Sequence, residues 1–201
     1  MRAPAYRIET ARLVLRCWNP EDAPLLEEAV LSSLDHLRPW MPWVQQEPES
    51  IDVRRERLRR FRGQFDLNLD FVYGIFSKDE TRVIGGTGLH TRQGPEIREI
   101  GYWIREDSVN SGYATETAAA LTRVAFEVEG VPRVEIRCDT RNTFSARIPQ
   151  ILGFTLEQTI PDGQQNRDLM IWGLRLEDYP VSAAASARIR AFDVIGRDFE
   201  L

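Results

Sequence analysis

A mixed α/β domain is what the sequence predicts, and three observations predict it. Glu99–Arg105 is dense in apolar, β-branched and aromatic residues and reads as a largely buried strand. A polar turn from Glu106 to Ser111 then leads into a helical run that opens at Gly112-Tyr113-Ala114-Thr115-Glu116. Ala114, Ala118, Leu121, Val124, Ala125 and Val128 share one face of that run, and Gly130 and Pro132 stop it. Third, shorter strand-like runs with period-two alternation lie on both sides of this unit, as in Val134-Glu135-Ile136-Arg137-Cys138.

At 201 residues, 42% hydrophobic and 28% charged, the chain suits one domain with a sizeable core, residues 1–180, and an appended helical tail, 181–201. No apolar run is long enough to cross a bilayer and Met1-Arg2-Ala3-Pro4 lacks a signal-peptide core, so a cytoplasmic protein without membrane contact is expected. Two cysteines, Cys17 and Cys138, and two histidines show no metal-ligand spacing, so no metal is expected. A net charge of -5 argues against nucleic acid as a partner and suits a cationic acceptor. The oligomeric state, monomer or homodimer, stays open.

Glu9–Arg16 reads as the first strand, with Leu13 and Leu15 on one side. Asn19 caps a helix that has Pro20 at its first position, acids in its first turn, and Ala23, Leu26, Ala29 and Val30 inward. His36–Trp43 carries two prolines and two tryptophans, an irregular connection in which Trp40 and Trp43 either wall a pocket or plug the core. Ile51–Phe65 is a helix with Val53, Leu58 and Phe61 inward and six arginines, either a solvated face or a patch for an anionic partner. Phe71–Phe76 and Arg82–His90 form a hairpin through Lys78-Asp79-Glu80, and the glycines of the second strand mark a place where something packs close to the backbone. Ala146–Leu152 is a short helix distorted by Pro149 and ended by Gly153, and two antiparallel strands around Phe154–Leu156 and Leu169–Leu174 follow. The Ala-rich tail is expected to be a helix outside the domain, with Ile189 and Phe192 available for docking.

The glycine turn into the long helix leaves backbone N–H groups converging at one point with the helix dipole behind them, the physical make-up of an anion site. A plain strand-to-helix connection has the same spacing, so both readings stand.

The succession of Glu9–Arg16, Asp22-Ala23, Leu37–Trp43, Ile100-Gly101-Tyr102-Trp103, Gly112–Glu116, Asn142-x-x-Ser145 and Leu152-Gly153-Phe154 resembles the GCN5-related N-acetyltransferase (GNAT) superfamily. Within it, the chain is similar to the ribosomal-protein N-terminal acetyltransferase (RimJ/RimL-like) branch. The resemblance implies an α+β fold, a mostly antiparallel splayed mixed sheet of about seven strands flanked by helices, with acetyl-CoA entering the splay as co-substrate. It implies backbone hydrogen bonds to the pantetheine arm from Trp103, Ile104 and Arg105, a pyrophosphate at Asn110, Ser111, Gly112, Tyr113, Ala114 and Thr115, and Asn142 binding the arm by its side-chain amide. The reaction implied is direct attack of a neutral amine on the thioester, which needs a base, an oxyanion donor and an acid for the leaving thiolate. Ser145 resembles the branch's proton donor, although a serine there also suits a helix cap. Glu99 and Asp168 are the candidate bases, acting through water, or plain surface acids. Cys138 matches a position near the acetyl group, or is a small buried residue. Trp40 and Trp43 would form the acceptor wall.

Two departures stand out. Val109 and Asn110 occupy places where the superfamily's phosphate loop carries Gln or Arg and glycine, and Pro149 aligns with its usual donor tyrosine. The acceptor implied is a protein's N-terminal α-amine. A small amine such as an antibiotic, amino acid or polyamine is the second reading, and a non-catalytic acyl-CoA-binding module the third.

Overall fold

The computed structural model describes residues 4–162 and 167–201; Met1, Arg2 and Ala3, on which most of the signal-peptide reading rests, lie outside them. Its strands are β1 (Arg7–Glu9), β2 (Leu13–Cys17), β3 (Phe71–Ser77), β4 (Val83–His90), β5 (Ile97–Ile104), β6 (Arg133–Asp139), β7 (Thr155–Asp162), β8 (Arg167–Arg175) and β9 (Arg190–Phe192). They form one sheet in the order β7-β8-β6-β5-β4-β3-β2-β1-β9, nine strands among the described residues instead of about seven. The helices are α1 (Ala23–Leu31), α2 (Leu34–Leu37), α3 (Ile51–Asp66), α4 (Tyr113–Arg123) and α5 (Thr143–Leu152). One core layer lies between the sheet and α4, and a second, built on Val14, Trp18, Leu58 and Phe76, lies on the opposite face under α1 and α3.

Every pairing is antiparallel except β5 with β6, and that pair decides where the site lies. It runs from Ile97↔Arg133 to Ile100↔Ile136 and then ends. Beyond it β5 stays paired with β4 as far as Ile104, while β6 stays paired with β8 as far as Asp139. Each strand follows its outer neighbour and a gap opens between them, so the expected splay is present.

The two extra strands come from the chain ends. The stretch expected as one strand, Glu9–Arg16, is interrupted at residues 10–12, where Thr10 N–H and Leu13 N–H bond to Leu13 O (3.0 Å) and Thr10 Oγ1 (3.0 Å) to close a hairpin turn. The tail is not a helix: it makes two 3-10 turns, Tyr179–Val181 and Ala183–Ser186, and then β9, which pairs with β1 from Arg7↔Phe192 to Glu9↔Arg190. Arg188-Ile189-Arg190-Ala191 alternates with period two, and Ala191 is fully buried, so an open sheet edge outweighs the helix propensity of the alanines. Ile189 packs on the core as expected, from the residue just before β9.

Local signals explain most helix boundaries. Asn19 and Asp22 form a capping box, and Ala23, Leu26, Ala29 and Val30 are buried as their spacing predicts. His36–Trp43 is less irregular than expected, lying partly in α2 and in a 3-10 turn over Pro42–Gln46. The long helix widens after Arg123 into a π-helical turn, Val124–Glu129, and stops at Gly130 with φ 71°.

The inward face of α3 differs from the apolar reading. Val53 is exposed, and Arg54 is buried together with Leu58 and Phe65. Arg54 donates two hydrogen bonds to Glu47 (3.1 and 2.9 Å), and Arg57 pairs with Glu49, so this ionic knot anchors the chain that leads out of the tryptophan segment. Burial pushes the Glu47 carboxyl up, but the bonds from Arg54 and from Glu49 N–H outweigh it and hold it below the ordinary range. The pair's stability is therefore fully present above the unfolded carboxylate's pKa and is lost as pH falls through the lower folded value. Glu47→Ala, which takes both hydrogen bonds from the buried Arg54 guanidinium and leaves it only Glu49 at 3.5 Å, is expected to cost about 3 kcal/mol in urea unfolding at neutral pH.

Candidate active site

A cavity of about 690 Å³ opens at the gap. Its lining comes from both faces of the sheet: Tyr102, Cys138, Asn142 and Ser145 from the α4–α5 side, and Trp40, Trp43, His90, Glu99 and Trp103 from the other. Alternation along β5 produces this, since Tyr102 belongs to one core layer and Trp103 to the opposite one.

The same alternation settles which backbone groups face the gap. Arg105 N–H donates to Ile84 O on β4 (3.0 Å), and Trp103, two residues earlier, pairs with Gly86. The main-chain groups left without a strand partner are those of Tyr102 and Ile104. Of the three residues expected to supply backbone bonds to a pantetheine arm, Ile104 faces the gap, whereas Trp103 and Arg105 face β4, and Tyr102 faces the gap beside Ile104. Arg105's guanidinium is buried as well, bonded to Glu28 (2.7 and 2.7 Å).

The β4 glycines do mark a close approach, and the approaching group is the protein's own. A Cβ at Gly86 would fall 2.5 Å from Trp103 Nε1, so that indole lies flat on the strand. Trp43 packs against Trp103 with ring centroids 5.8 Å apart, and Trp40 completes an aromatic wall on this side of the cavity.

On the other side, Asn142 Oδ1 accepts the N–H of Ser145 (3.0 Å) and caps α5, which leaves Ser145 Oγ free of capping duty. That hydroxyl lies 3.2 Å from Tyr102 Oη, and Tyr102 also donates to Ser145 O (3.2 Å). Pro149 explains the second bond: with no N–H four residues on, it leaves that carbonyl without its helical donor, and α5 runs on through the proline. A phenol from β5 thus stands beside Ser145, a partner that no local pattern announces. Burial raises the Tyr102 phenol, against the bond with Ser145, so it keeps its proton at neutral pH. Burial likewise pushes the Cys138 thiol up to about 11, so it keeps its proton at neutral pH.

Of the two candidate bases only Glu99 lines the cavity, and it is engaged by Arg92 (3.0 Å), Gln93 (2.9 Å) and, farther off, Arg137 (3.7 Å). Asp168 is exposed and is not brought to the site: its neighbours Arg167 and Leu169 line the cavity, and period two turns Asp168 away. A pair that sequence reasoning passed over is present instead, His90 with Asp70. Its one sequence signal is Gly88, two residues before His90 on the same strand face.

Beyond β5 the loop of Asn110, Ser111 and Gly112 is exposed and precedes α4. Asn110 has φ 60° and Gly112 φ 78°, and Gly112 occupies the N-cap without any side-chain cap bond. The first N–H groups of α4, at Tyr113, Ala114 and Thr115, have no intrahelical acceptor. Glu116 would oppose an anion there, but it is turned aside: Thr10 Oγ1 (2.5 Å) and Arg12 Nε (2.7 Å) donate to it, and Arg12 Nη1 donates to Ser111 O (2.8 Å). Residues 110–115 do not line the cavity.

Comparison with known proteins agrees with this layout. The Acetyltransferase (GNAT) domain family matches residues 12–155. "Putative ribosomal N-acetyltransferase YdaF" of Bacillus subtilis (strain 168) is 30% identical over 154 residues, 75% of this chain and 82% of that protein. Among solved structures, RimL, a ribosomal L7/L12 alpha-N-protein acetyltransferase in complex with coenzyme A disulfide-bonded to one of its cysteines, superposes with TM-score 0.74 at 19% identity, covering 87% of this chain and 98% of that one. The microcin C7 self-immunity acetyltransferase MccE, in complex with acetyl-CoA and AMP, gives 0.75 at 16%, covering 83% and 93%. Split sheet, open helix N-terminus and relatives together define the class: this is an N-acetyltransferase. The chain belongs to the acetyltransferase (GNAT) family, in its RimJ/RimL-like branch.

Proposed function

We propose that the protein transfers an acetyl group from acetyl-CoA to the N-terminal α-amine of a protein in the cytoplasm. The observation that carries this reading is the end of β5–β6 pairing at Ile100 and Ile136, which leaves the Tyr102 and Ile104 main chain free beside a pair of hydroxyls. An amide-bearing arm can add there as a strand would. The names of YdaF and RimL favour a protein acceptor, and no helix among the described residues is long and apolar enough to cross a membrane.

Acetyl-CoA, when bound, supplies the thioester and its leaving thiolate. The N–H groups opening α4 hold a diphosphate without side-chain charge, and Arg12 keeps Glu116 from opposing it. Tyr102 and Ile104 orient the arm, and Asn142, whose Oδ1 is committed to α5, presents its Nδ2 donors to it. Tyr102 N–H is placed to polarise the acyl carbonyl. Ser145 Oγ–H is the proton donor to sulfur, backed by the Tyr102 phenol. This hydroxyl pair also favours an enzyme over a silent acyl-CoA-binding module.

A small amine is the second reading, supported by the enclosing wall of Trp40, Trp43 and Trp103. Mass spectrometry of peptides with varied N-termini and of small amines, each incubated with enzyme and acetyl-CoA, decides between them. Acetylated peptide N-termini are expected; acetylated metabolites with no acetylated peptide would reverse the assignment.

A further inference from the structure

His90 closes β4, and its ring lies over the sheet. A Cβ at Gly88 would fall 2.7 Å from the imidazole Cε1 and Nε2, and one at Gly101 3.3 Å from Nε2. Gly88 and Gly101 are cross-strand partners, so two missing side chains make the seat for one ring. Nδ1 is held by both oxygens of Asp70 (2.9 and 3.1 Å), which also accepts Thr91 N–H (3.3 Å). Burial pushes the Asp70 carboxyl up, but the His90 ring, the Thr91 N–H and the Arg92 charge together outweigh it, leaving it below the ordinary range and ionised. An ionised carboxylate only accepts, so in the neutral ring the proton sits on Nδ1 and Nε2 is bare. That bare nitrogen lies over Gly101, where the Arg92 guanidinium also reaches, in a ring that lines the cavity beside Tyr102, whose N–H faces the gap.

From this geometry we infer that His90 is the general base that takes the proton from the acceptor's ammonium, with Asp70 as its positioning residue; the inference rests on the amine-acetylation reading above. The ammonium gives one proton to Nε2, and the freed nitrogen lone pair forms the N–C bond as the C–S bond breaks. Sulfur takes its proton from Ser145, the second proton lost by the acylated nitrogen restores the Ser145 hydroxyl through solvent, and His90 returns its own proton to solvent, so that one proton is released for each amide and thiol formed. The charged groups around the ring are Asp70 at the start of β3, Arg92 after β4, Glu99 opposite on β5 and Arg137 on β6, while α3 presents Arg57 and Phe61 to the same cavity. Of the carboxylates, Glu99 is engaged by two arginines and Gln93, which leaves Nε2 as the free proton acceptor next to Tyr102.

The test compares a primary amine that the wild type acetylates with an analogue bearing a trifluoromethyl group beside the nitrogen, already neutral at neutral pH. His90→Gln is expected to lower kcat/KM about 100-fold on the basic amine, a loss that shrinks as pH rises and is small on the fluorinated analogue. Calorimetric coenzyme A affinity should not change. Equal losses on both amines, or none, would overturn the assignment. Asp70→Asn, the second variant, should give the same amine-dependent pattern. Long-range proton–nitrogen NMR of the wild-type ring should show the neutral tautomer protonated on Nδ1, and an Nε2-protonated tautomer would also overturn it. If only small amines are acetylated, the peptide-acceptor reading fails while this comparison runs unchanged on the small amine.

Discussion

Gly112→Glu is expected to lower acetyl-CoA affinity by at least about 100-fold in isothermal titration, the largest binding effect of any single change on the phosphate loop. Two causes add. Gly112 sits at φ 78°, where a side chain costs on the order of 1 kcal/mol. The new carboxylate would also occupy the point on which the α4 N–H groups converge, with Arg12 Nη2 only 3.4 Å from the added Cβ and ready to fix it there. An acid at a helix N-terminus is otherwise favourable, so circular dichroism and melting should stay near wild type. Unchanged affinity would contradict the loop assignment, and Gly112→Ala separates the two causes by keeping the strain without the charge.

Ser145→Ala is expected to reduce kcat about 100-fold or more while the affinity for acetyl-CoA holds, because a lost general acid acts on the chemical step alone. The fold should be indifferent, since Asn142 and not Ser145 caps α5. Tyr102→Phe should behave differently. It removes the phenol behind Ser145 and also strips the donor from the carbonyl that Pro149 cannot serve, so a stability loss of about 1–3 kcal/mol should accompany a smaller kinetic one. The double variant should be little slower than Ser145→Ala, because the two hydroxyls act as one relay. Full additivity in stopped-flow thiol release would separate them.

What was legible in the sequence was local. The strand, turn and helix from Glu99 onward, the Asn19 cap and the Gly130 stop each depend on residues within a few positions of one another, and all three are present, with the strand shifted to Ile97–Ile104 and Asn19 capping a 3-10 turn, Pro20–Asp22, that leads into α1. The splay came from resemblance, and strand pairing bears it out. What could not be read depends on partners distant in the chain. The inward phase of α3 is Arg54, Leu58, Phe61 and Phe65, a regular helical stripe that hides because its first member is a charge neutralised by Glu47. The tail's alanines favour a helix until the vacant side of β1 is known to need a neighbour. The Tyr102–Ser145 and His90–Asp70 pairs each join groups more than ten residues apart, and the second also needs two glycines on adjacent strands. Alternation alone, applied once the Arg105 bond to Ile84 is known, moves the gap-facing backbone from Trp103 to Tyr102.

Amide hydrogen exchange with and without acetyl-CoA tests the central claim most directly, since the account ties cofactor capture to two particular N–H groups. Tyr102 and Ile104 should exchange readily in the free protein and become protected on binding, together with Tyr113, Ala114 and Thr115, while Trp103 and Arg105, already bonded to β4, should change little. Protection that is already complete at Tyr102 and Ile104 without ligand, or unchanged at both when ligand is bound, would contradict it.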